Sequence, residues 1–267
     1  MPIPLELTGL TKAFDTPAGS FVAVRDVNLR VGRAEFVALL GHSGCGKSTV
    51  LSIVAGLQRP THGSVLIDGR HVDGPGLERG IVFQSPCLMP WLTARQNVEL
   101  AAAQRPNAGG RRGSSASARR YLELVGIGEA ADQLPSQLSL GTRQCVSLAR
   151  ALSVEPRLLL LDEPFSMLDS LTRFELQDLL LQVWERTGQT VVMVTHDVDE
   201  ALYLADRLIL MTDGPEATVG DILTVPFPRP RTRPAVLAHP RYHACRRHVV
   251  DFLELHAHQS RVAAAAH

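Results

Sequence analysis

Residues 41–49 read GHSGCGKST, and this short stretch decides the class of fold. Gly41 and the residues GKS at 46–48 fit the pattern G-x-x-x-x-G-K-[ST] of a phosphate-binding loop, or P-loop. The apolar run EFVALL precedes this loop and the apolar run TVLSIVAGL follows it, as a connection from a strand to a helix requires. The alternative, an ordinary glycine-rich turn, does not need the full pattern in this context.

The residue types of the loop suit phosphate binding. Glycines allow backbone N–H groups to point at phosphate oxygens, and the start of a helix adds partial positive charge. Lys47 would reach the β- and γ-phosphates, and the Ser48 hydroxyl would bind Mg²⁺. We therefore predict a nucleotide-phosphate site made of Gly41, His42, Ser43, Gly44, Cys45, Gly46, Lys47, Ser48 and Thr49.

The composition narrows the classes of function. The 267 residues include 27 basic and 27 acidic side chains, so a general nucleic-acid-binding surface is not indicated. The four scattered cysteines lack a C-x-x-C spacing, which favours reduced thiols in a cytosolic protein over a zinc or disulfide framework. The N-terminal segment does not resemble a signal peptide, and no apolar run approaches the ~20 residues that span a bilayer. If the protein works at a membrane, we expect other chains to hold it there.

Polar residues follow three other apolar runs. Asp162 ends the run LLLLD, where it would bind Mg²⁺, and Glu163 beside it would orient or deprotonate an attacking water. Gln84 ends GIVFQ and His196 ends VVMVTH. Each could instead be a capping or internally bonded residue. Because the carboxyl ends of parallel strands face the ligand crevice of an α/β sheet, we expect these residues to meet the P-loop in one place.

The remaining segments predict a mostly parallel sheet covered by helices on both faces. Asp68-Gly69 is a hairpin signal, and the polar stretch 103–119 is typical of a loop. A helix is expected over 171–188, with one largely apolar face formed by Phe174, Leu176, Leu179, Leu180 and Val183. Beyond Thr224 the sequence becomes proline-rich, and a helix is expected to start at Pro240.

A family resemblance is carried by six motifs in order: GHSGCGKST, FQ, LSLGTRQCVSLARAL, LLLLDEP, SMLD and VTHD. Over residues 5–212 the chain resembles the nucleotide-binding subunit of ATP-binding cassette (ABC) transporters. This resemblance implies an α/β fold with a P-loop (RecA-like) core, an antiparallel β subdomain and an inserted α-helical subdomain. It places an ABC ATPase domain at residues 5–225, with the helical subdomain at about 88–155, and an extension with one short helix at 226–267.

The resemblance also implies ATP and Mg²⁺ as cofactors and assigns catalytic roles. Glu163 resembles the general base, and His196 resembles the switch histidine that contacts the γ-phosphate. Gln84 resembles the residue that contacts Mg²⁺ and the attacking water and senses the transmembrane partner. Ser48 and Asp162 complete the metal ligands that the resemblance implies.

Two further roles come from the resemblance alone. Phe14 in TKAF matches the aromatic residue that stacks on adenine, with a buried phenylalanine at the end of a strand as the alternative. Asp169 in SMLD matches the residue that couples the two active sites of a dimer.

The signature segment departs from the family pattern. Residues 138–142 read LSLGT where the family usually has L-S-G-G-Q, so Ser139 and Gly141 match and Leu140 replaces a glycine. In the family this segment faces the ATP of the partner subunit. A leucine adds a side chain there and restricts the backbone dihedral angles. We expect a working but slower site, with a degenerate site as the alternative.

The resemblance is closest to the importer branch for nitrate, sulfonate, taurine and related small anions, through the segments around LMPWLTARQNV and DEPFSMLD. It implies a second ATPase subunit, with a homodimer expected, transmembrane permease subunits and, indirectly, a periplasmic or extracellular solute-binding protein, with no nucleic acid. The expected location is cytoplasmic, on the inner face of the cell membrane. The alternatives are a cassette ATPase without a transport role, a weakly active subunit of a heteromeric transporter, and a P-loop kinase.

Overall fold

The computed structural model describes residues 4–17, 19–106 and 110–265. The chain divides into two units, the first made of residues 1–75 and 190–267 and the second of residues 76–189. The elements of the first unit are β1 (Leu5–Thr16), β2 (Gly19–Val31), β3 (Phe36–Leu40), α1 (Lys47–Val54), β4 (His62–Ile67), β5 (Arg70–His71), β8 (Thr190–Val194), α6 (Val198–Leu204), β9 (Arg207–Met211), β10 (Val219–Thr224), α7 (Arg233–Leu237) and α8 (Tyr242–Ala265). Those of the second unit are β6 (Arg79–Val82), α2 (Ala94–Ala102), α3 (Gly110–Leu124), α4 (Leu140–Ser153), β7 (Leu158–Asp162) and α5 (Ser170–Thr187).

The first unit contains one antiparallel and one mostly parallel arrangement of strands. β1 pairs with β2 and β4, and β4 pairs with β5, all antiparallel. β3 pairs in parallel with β8 and β9, while β10 is antiparallel to β9. Every residue of β3 and β8 is buried, as continuous apolar runs predict for strands covered on both faces.

The turn between β4 and β5 has the predicted chemistry. Asp68 has φ 49° and Gly69 has φ 77°, so both central residues are left-handed, as a type I′ hairpin requires. Ile67 and Arg70 pair directly across this turn. The Asp-Gly pair therefore fixes the register of β5 against β4.

In the second unit, β6 runs parallel to β7, and helix α3 packs against α2 and α4. The expectation of a loop over 103–119 is wrong for its second half, because α3 begins at Gly110. Its Ser114, Ala118 and Leu122 are buried at intervals of four residues. The small side chains of Ser114 and Ala118 allow the neighbouring helices to approach closely. This packing compensates for the low apolar content that suggested a loop.

Helix α5 confirms the predicted element but not all of its predicted face. Asp169 caps its start, and Gly188 ends it with φ 60°. The buried residues are Gln177, Leu180, Leu181 and Val183, whereas Phe174 is exposed. Phe174 lies one turn before Gln177 on the same face, so the buried part of this face starts later in the helix than the periodicity predicts.

The segment after residue 225 contains two helices where one short helix was expected. α7 begins after Thr232, whose Oγ1 accepts a hydrogen bond from the Ala235 N–H at 3.4 Å, with a proline in its first turn. α8 buries Tyr242, Cys245 and Val249, a stripe of helical spacing. Within the residues that the structure describes, no helix is both long and apolar enough to cross a membrane.

Arginines of this segment cap the end of α6. Arg231 is buried and donates to the carbonyls of Tyr203 at 3.1 Å and Ala205 at 2.7 Å. Arg229 donates to the Leu204 carbonyl at 2.6 Å. The last carbonyls of a helix lack partners within it and favour positive charge, so these bonds attach the segment to α6. Burial, with a smaller contribution from Arg229, lowers the pKa of Arg231 to about 10.

Replacing Arg231 by methionine tests this attachment. The Arg231→Met variant leaves buried carbonyls without donors, so we expect a loss of about 3 kcal/mol in the free energy of unfolding. The measurement is urea unfolding followed by circular dichroism. Arg241→Met, at an exposed position of the same segment, is the control and should change stability by less than about 0.5 kcal/mol. Equal effects of the two substitutions would contradict the capping role.

Candidate functional site

The P-loop turns through left-handed backbone between β3 and α1. Gly44 has φ 85° and Gly46 has φ 89°, a region that side chains other than glycine rarely adopt. A Cβ atom on Gly46 would lie 2.4 Å from Cγ1 of Val24 in β2. Glycine at 46 is therefore required both by the backbone and by the close approach of β2.

Lys47, the first residue of α1, has its ammonium group inside the loop. Its side chain is 4 % exposed, and Nζ donates to the carbonyls of Gly41 at 2.7 Å and His42 at 2.8 Å. Nζ also lies 3.7 Å from Sγ of Cys45. These contacts hold one positive charge at the start of a helix, where anions bind favourably.

The P-loop and His196 lie at the same edge of the parallel strands in the first unit. β3 and β8 pair with Leu39 opposite Val194, and the Thr195 N–H donates to the Leu39 carbonyl at 3.2 Å. Gly41 and His196 each follow that paired position by two residues. His196 is exposed.

The second unit repeats this arrangement with β6 and β7. Val82 pairs with Leu161, so Gln84 and Glu163 each lie two residues beyond a paired position at one edge. Gln84 is exposed, and Asp162 and Glu163 are half-buried. Each unit thus brings together two of the residues that the sequence analysis selected.

Glu163 adopts a backbone conformation that is costly for a side chain of its size. Its φ is 46°, and its carbonyl accepts bonds from the N–H of Ser166 at 3.2 Å and from the Ser166 hydroxyl at 3.0 Å. A left-handed residue other than glycine costs of order 1 kcal/mol, and such residues cluster at functional sites. The strained backbone of Glu163 therefore costs stability in the turn just after β7.

The signature segment forms the start of α4. Ser139 is the N-cap, and its Oγ accepts from the Thr142 N–H at 3.1 Å. Leu140 is the first residue of the helix and is half-buried. Gly141 is buried, and a Cβ there would lie 2.6 Å from the Cγ2 methyl of Thr172 in α5. The glycine that remains in the signature is therefore required by packing.

Asp169 and Phe14 have local partners that fit the structural alternatives. Asp169 is exposed and caps α5, with Oδ1 accepting from the N–H groups of Leu171 and Thr172 at 3.1 Å each. Hydrogen bonds from Thr172, and then from Leu171, hold the pKa of this carboxyl below its usual value. Phe14 is half-buried in β1, with Nζ of Lys12 5.0 Å from the centre of its ring.

The sequence analysis missed Gln144, which lies in α4 beside the signature. Gln144 is buried, and its Nε2 donates to the Phe83 carbonyl at 3.1 Å, one residue before Gln84. The sequence did carry a signal for this residue, namely an amide on the apolar face of a helix. A buried amide requires a specific hydrogen-bond partner, so such a residue indicates a contact with another segment. This bond connects the helix of the signature to the segment that positions Gln84.

A family model with the description ABC transporter matches residues 24–166, more than half of the chain. The chain belongs to the ABC transporter family. The nitrate import ATP-binding protein NrtD of Synechococcus elongatus is 50% identical over 247 residues, which cover 91% of this chain and 88% of that protein. The bicarbonate transport ATP-binding protein CmpD of Synechocystis sp. is 46% identical over 253 residues, or 93% of this chain and 88% of that protein.

Solved structures of ABC cassettes are similar to this chain over most of its length. A dimeric cassette in a post-hydrolysis state bound to ADP and Pi is 34% identical, with a TM-score of 0.73 over 83% of this chain and 98% of that one. The cbiO1 protein of Clostridium perfringens, part of the ABC transporter complex cbiONQ, is 27% identical with a TM-score of 0.72, over 84% of this chain and 89% of that one. The expected fold class and the ATPase activity of an ABC importer subunit are therefore confirmed.

The four cysteines differ in exposure, which predicts selective modification of this ABC ATPase. Cys87 is exposed, whereas the other three thiols are buried. Burial raises the pKa of Cys145 to about 12, and it also raises the pKa of Cys45, partly offset by Lys47. Since the thiolate is the reactive form, we expect Cys87 alone to react rapidly with an aromatic disulfide reagent at pH 8.

The measurement is the thiol titre of the native chain compared with that of the denatured chain. The Cys87→Ser variant is the control and should lose the rapid phase while keeping its other thiols reactive after denaturation. A rapid phase that persists in Cys87→Ser would show that one of the buried thiols is accessible.

Proposed function

We propose that this chain hydrolyses ATP to energise the import of a small anion, such as nitrate or bicarbonate, through separate permease subunits. The observation that carries the proposal is the identity of about one residue in two, over nine-tenths of the chain, to the nitrate and bicarbonate transport ATP-binding proteins. The solute itself would not contact this subunit, so the identity of the solute is inferred from those relatives. Sulfonate and taurine belong to the same class of candidates by sequence resemblance.

ATP binding is assigned to the P-loop. Lys47, whose ammonium group is held by the carbonyls of Gly41 and His42, would bind the β- and γ-phosphates. Phe14 would stack on the adenine. The oxygen-bearing side chains of Ser48, Gln84 and Asp162 are of the type that Mg²⁺ prefers, and the ion would neutralise charge that develops on the phosphates.

Hydrolysis is assigned to residues that follow the strands. Glu163 would accept the proton of the attacking water, and its strained backbone just after β7, of a kind that clusters at functional sites, supports this role. His196 would donate to the γ-phosphate, and Gln84 would contact the water and respond to the permease. In the homodimer that we propose, Ser139 and Gly141 would bind the ATP of the partner and Asp169 would couple the two sites.

The proposed permease contact lies after Gln84. Trp91 is 71 % exposed, and Leu88 nearby is half-buried. An exposed tryptophan on a short apolar segment suits packing against an amphipathic helix. We propose that a cytoplasmic helix of the permease binds this surface, which would place the chain on the inner face of the membrane.

Reconstitution of the chain with its permease and binding protein in proteoliposomes tests the proposed function. We expect ATP hydrolysis to rise when the binding protein is loaded with the transported anion. Nitrate, bicarbonate, taurine and an alkyl sulfonate are compared in parallel. A rise with none of these anions would reject the solute class, and an absence of any ATP-dependent uptake would reject the importer.

Replacing Glu163 by glutamine separates binding from hydrolysis. The amide keeps the shape of the side chain but cannot accept the proton, so we expect turnover to fall about 100-fold or more while ATP binding remains. In the presence of ATP, the variant should then accumulate as a stable dimer, which size-exclusion chromatography detects. Glu175→Gln, at an exposed position of α5, is the matched control and should behave as wild type. A Glu163→Gln chain that stays monomeric with Mg-ATP, alone and with its membrane partners, would contradict the proposed dimer.

Restoring glycine at position 140 tests the signature. Leu140 is the first residue of α4, where a glycine costs less than the roughly 1 kcal/mol of a helix interior. Without the side chain the backbone can close more tightly on the partner's ATP, so Leu140→Gly should raise turnover about twofold, with unchanged ATP affinity of the monomer.

The measurement is steady-state hydrolysis of wild type and Leu140→Gly, assembled with the same permease. Leu140→Ala shortens the side chain without freeing the backbone. It therefore separates the effect of side-chain bulk from the effect of backbone freedom. Loss of activity in Leu140→Gly would show that the leucine is a required packing element.

A further inference from the structure

Helix α8 contacts the P-loop through the side chain of His42. Nε2 of His42 lies 2.8 Å from the carbonyl oxygen of Leu253, which is in α8. A carbonyl oxygen can only accept, so Nε2 carries the hydrogen and donates it. The imidazole of His42 is thus held by an element that lies about two hundred residues further along the chain and outside the loop itself.

The main chain of His42 is bonded to Lys47. Its carbonyl accepts from Nζ of Lys47 at 2.8 Å and from the Cys45 N–H at 3.2 Å. His42 therefore joins two partners. Its side chain bonds to α8, and its carbonyl bonds to the ammonium group of Lys47, which the proposed function assigns to the phosphates. A displacement of α8 would be transmitted to Lys47 by two consecutive hydrogen bonds.

Helix α8 is fixed in place close to this contact. The ring of Phe252 covers Gly220 of β10 so closely that a Cβ on that glycine would lie 2.6 Å from it. His248 Nε2 lies 2.6 Å from Oδ2 of Asp221, the next residue along. The Leu253 carbonyl is therefore presented to His42 from a helix that is anchored on the sheet within the same two turns.

We propose that His42 is a positioning residue, and that α8, acting through His42, orients Lys47 for phosphate binding. This inference rests on the proposed ATP-binding role of the P-loop and goes beyond it. It makes the C-terminal extension part of the apparatus that sets ATP affinity, through the main-chain carbonyl of Leu253.

The test is calorimetric titration of the full-length chain with Mg-ATP. His42→Leu removes the donor, and we expect ATP to bind about threefold to tenfold more weakly, in line with one lost hydrogen bond. His42→Gln retains an N–H of similar reach and should bind ATP nearly as well as wild type. His243→Leu, the same substitution at an exposed position of α8, is the matched control and should leave binding unchanged.

A second route to the same effect leaves His42 intact. Phe252→Ala removes the ring that packs on Gly220 and loosens α8 near Leu253. We expect a similar weakening of ATP binding. Because both substitutions break one connection, the double variant His42→Leu/Phe252→Ala should be little weaker than either single variant.

Lys47→Ala separates failure of this inference from failure of the proposed function. If wild type binds Mg-ATP and Lys47→Ala does not, the proposed role of the loop stands. The inference is then overturned if His42→Leu binds as tightly as wild type, or if His42→Gln is as weak as His42→Leu. A wild-type chain that does not bind Mg-ATP overturns both.

Discussion

The ammonium group of Lys47, bonded to the carbonyls of Gly41 and His42, is the constraint on which the P-loop depends. A buried charge is tolerated only with hydrogen-bond partners, so the chain must curve back over its own lysine. That curve passes through left-handed backbone at Gly44 and Gly46. It also brings the loop against Val24, so the antiparallel sheet supports the turn from the other side.

Parallel strand pairing places the remaining polar residues. In both units the residue of interest lies two positions beyond a paired position and just after its strand ends. The register is fixed by buried aliphatic residues, so the positions of His196 and Gln84 follow from core packing. Glu163 also departs from regular strand geometry, because its φ of 46° places it in a strained turn just after β7.

The sequence predicts those features that depend on local chemistry. The P-loop, the hairpin at Asp68-Gly69 and the strands that end near Asp162 and His196 each carry a local signal, and the structure contains them all. Helix α3 was missed because its stability comes from neighbouring helices that pack on its small residues. A prediction from composition assigns such small residues to a loop.

Contacts between distant segments were not predicted for a related reason. The bond from Gln144 to Phe83 joins residues 61 positions apart in the sequence, and the bond from His42 to Leu253 joins residues 211 positions apart. No periodicity or motif encodes such a pair, since each residue alone has many allowed partners. The roles of Asp169 and Phe14 stay predictions, because their local contacts fit a cap and a half-buried ring as well as a ligand.

Thr172 faces two functional segments with different parts of one small side chain and its backbone. Its methyl group fills the space beside Gly141, while its N–H and hydroxyl hold Asp169. A larger residue at 141 therefore fits only if position 172 loses that methyl, and serine is the replacement that keeps the hydroxyl. Positions 141 and 172 are accordingly coupled through one methyl group, and this packing between α4 and α5 ties the geometry of the signature to that of the loop before α5.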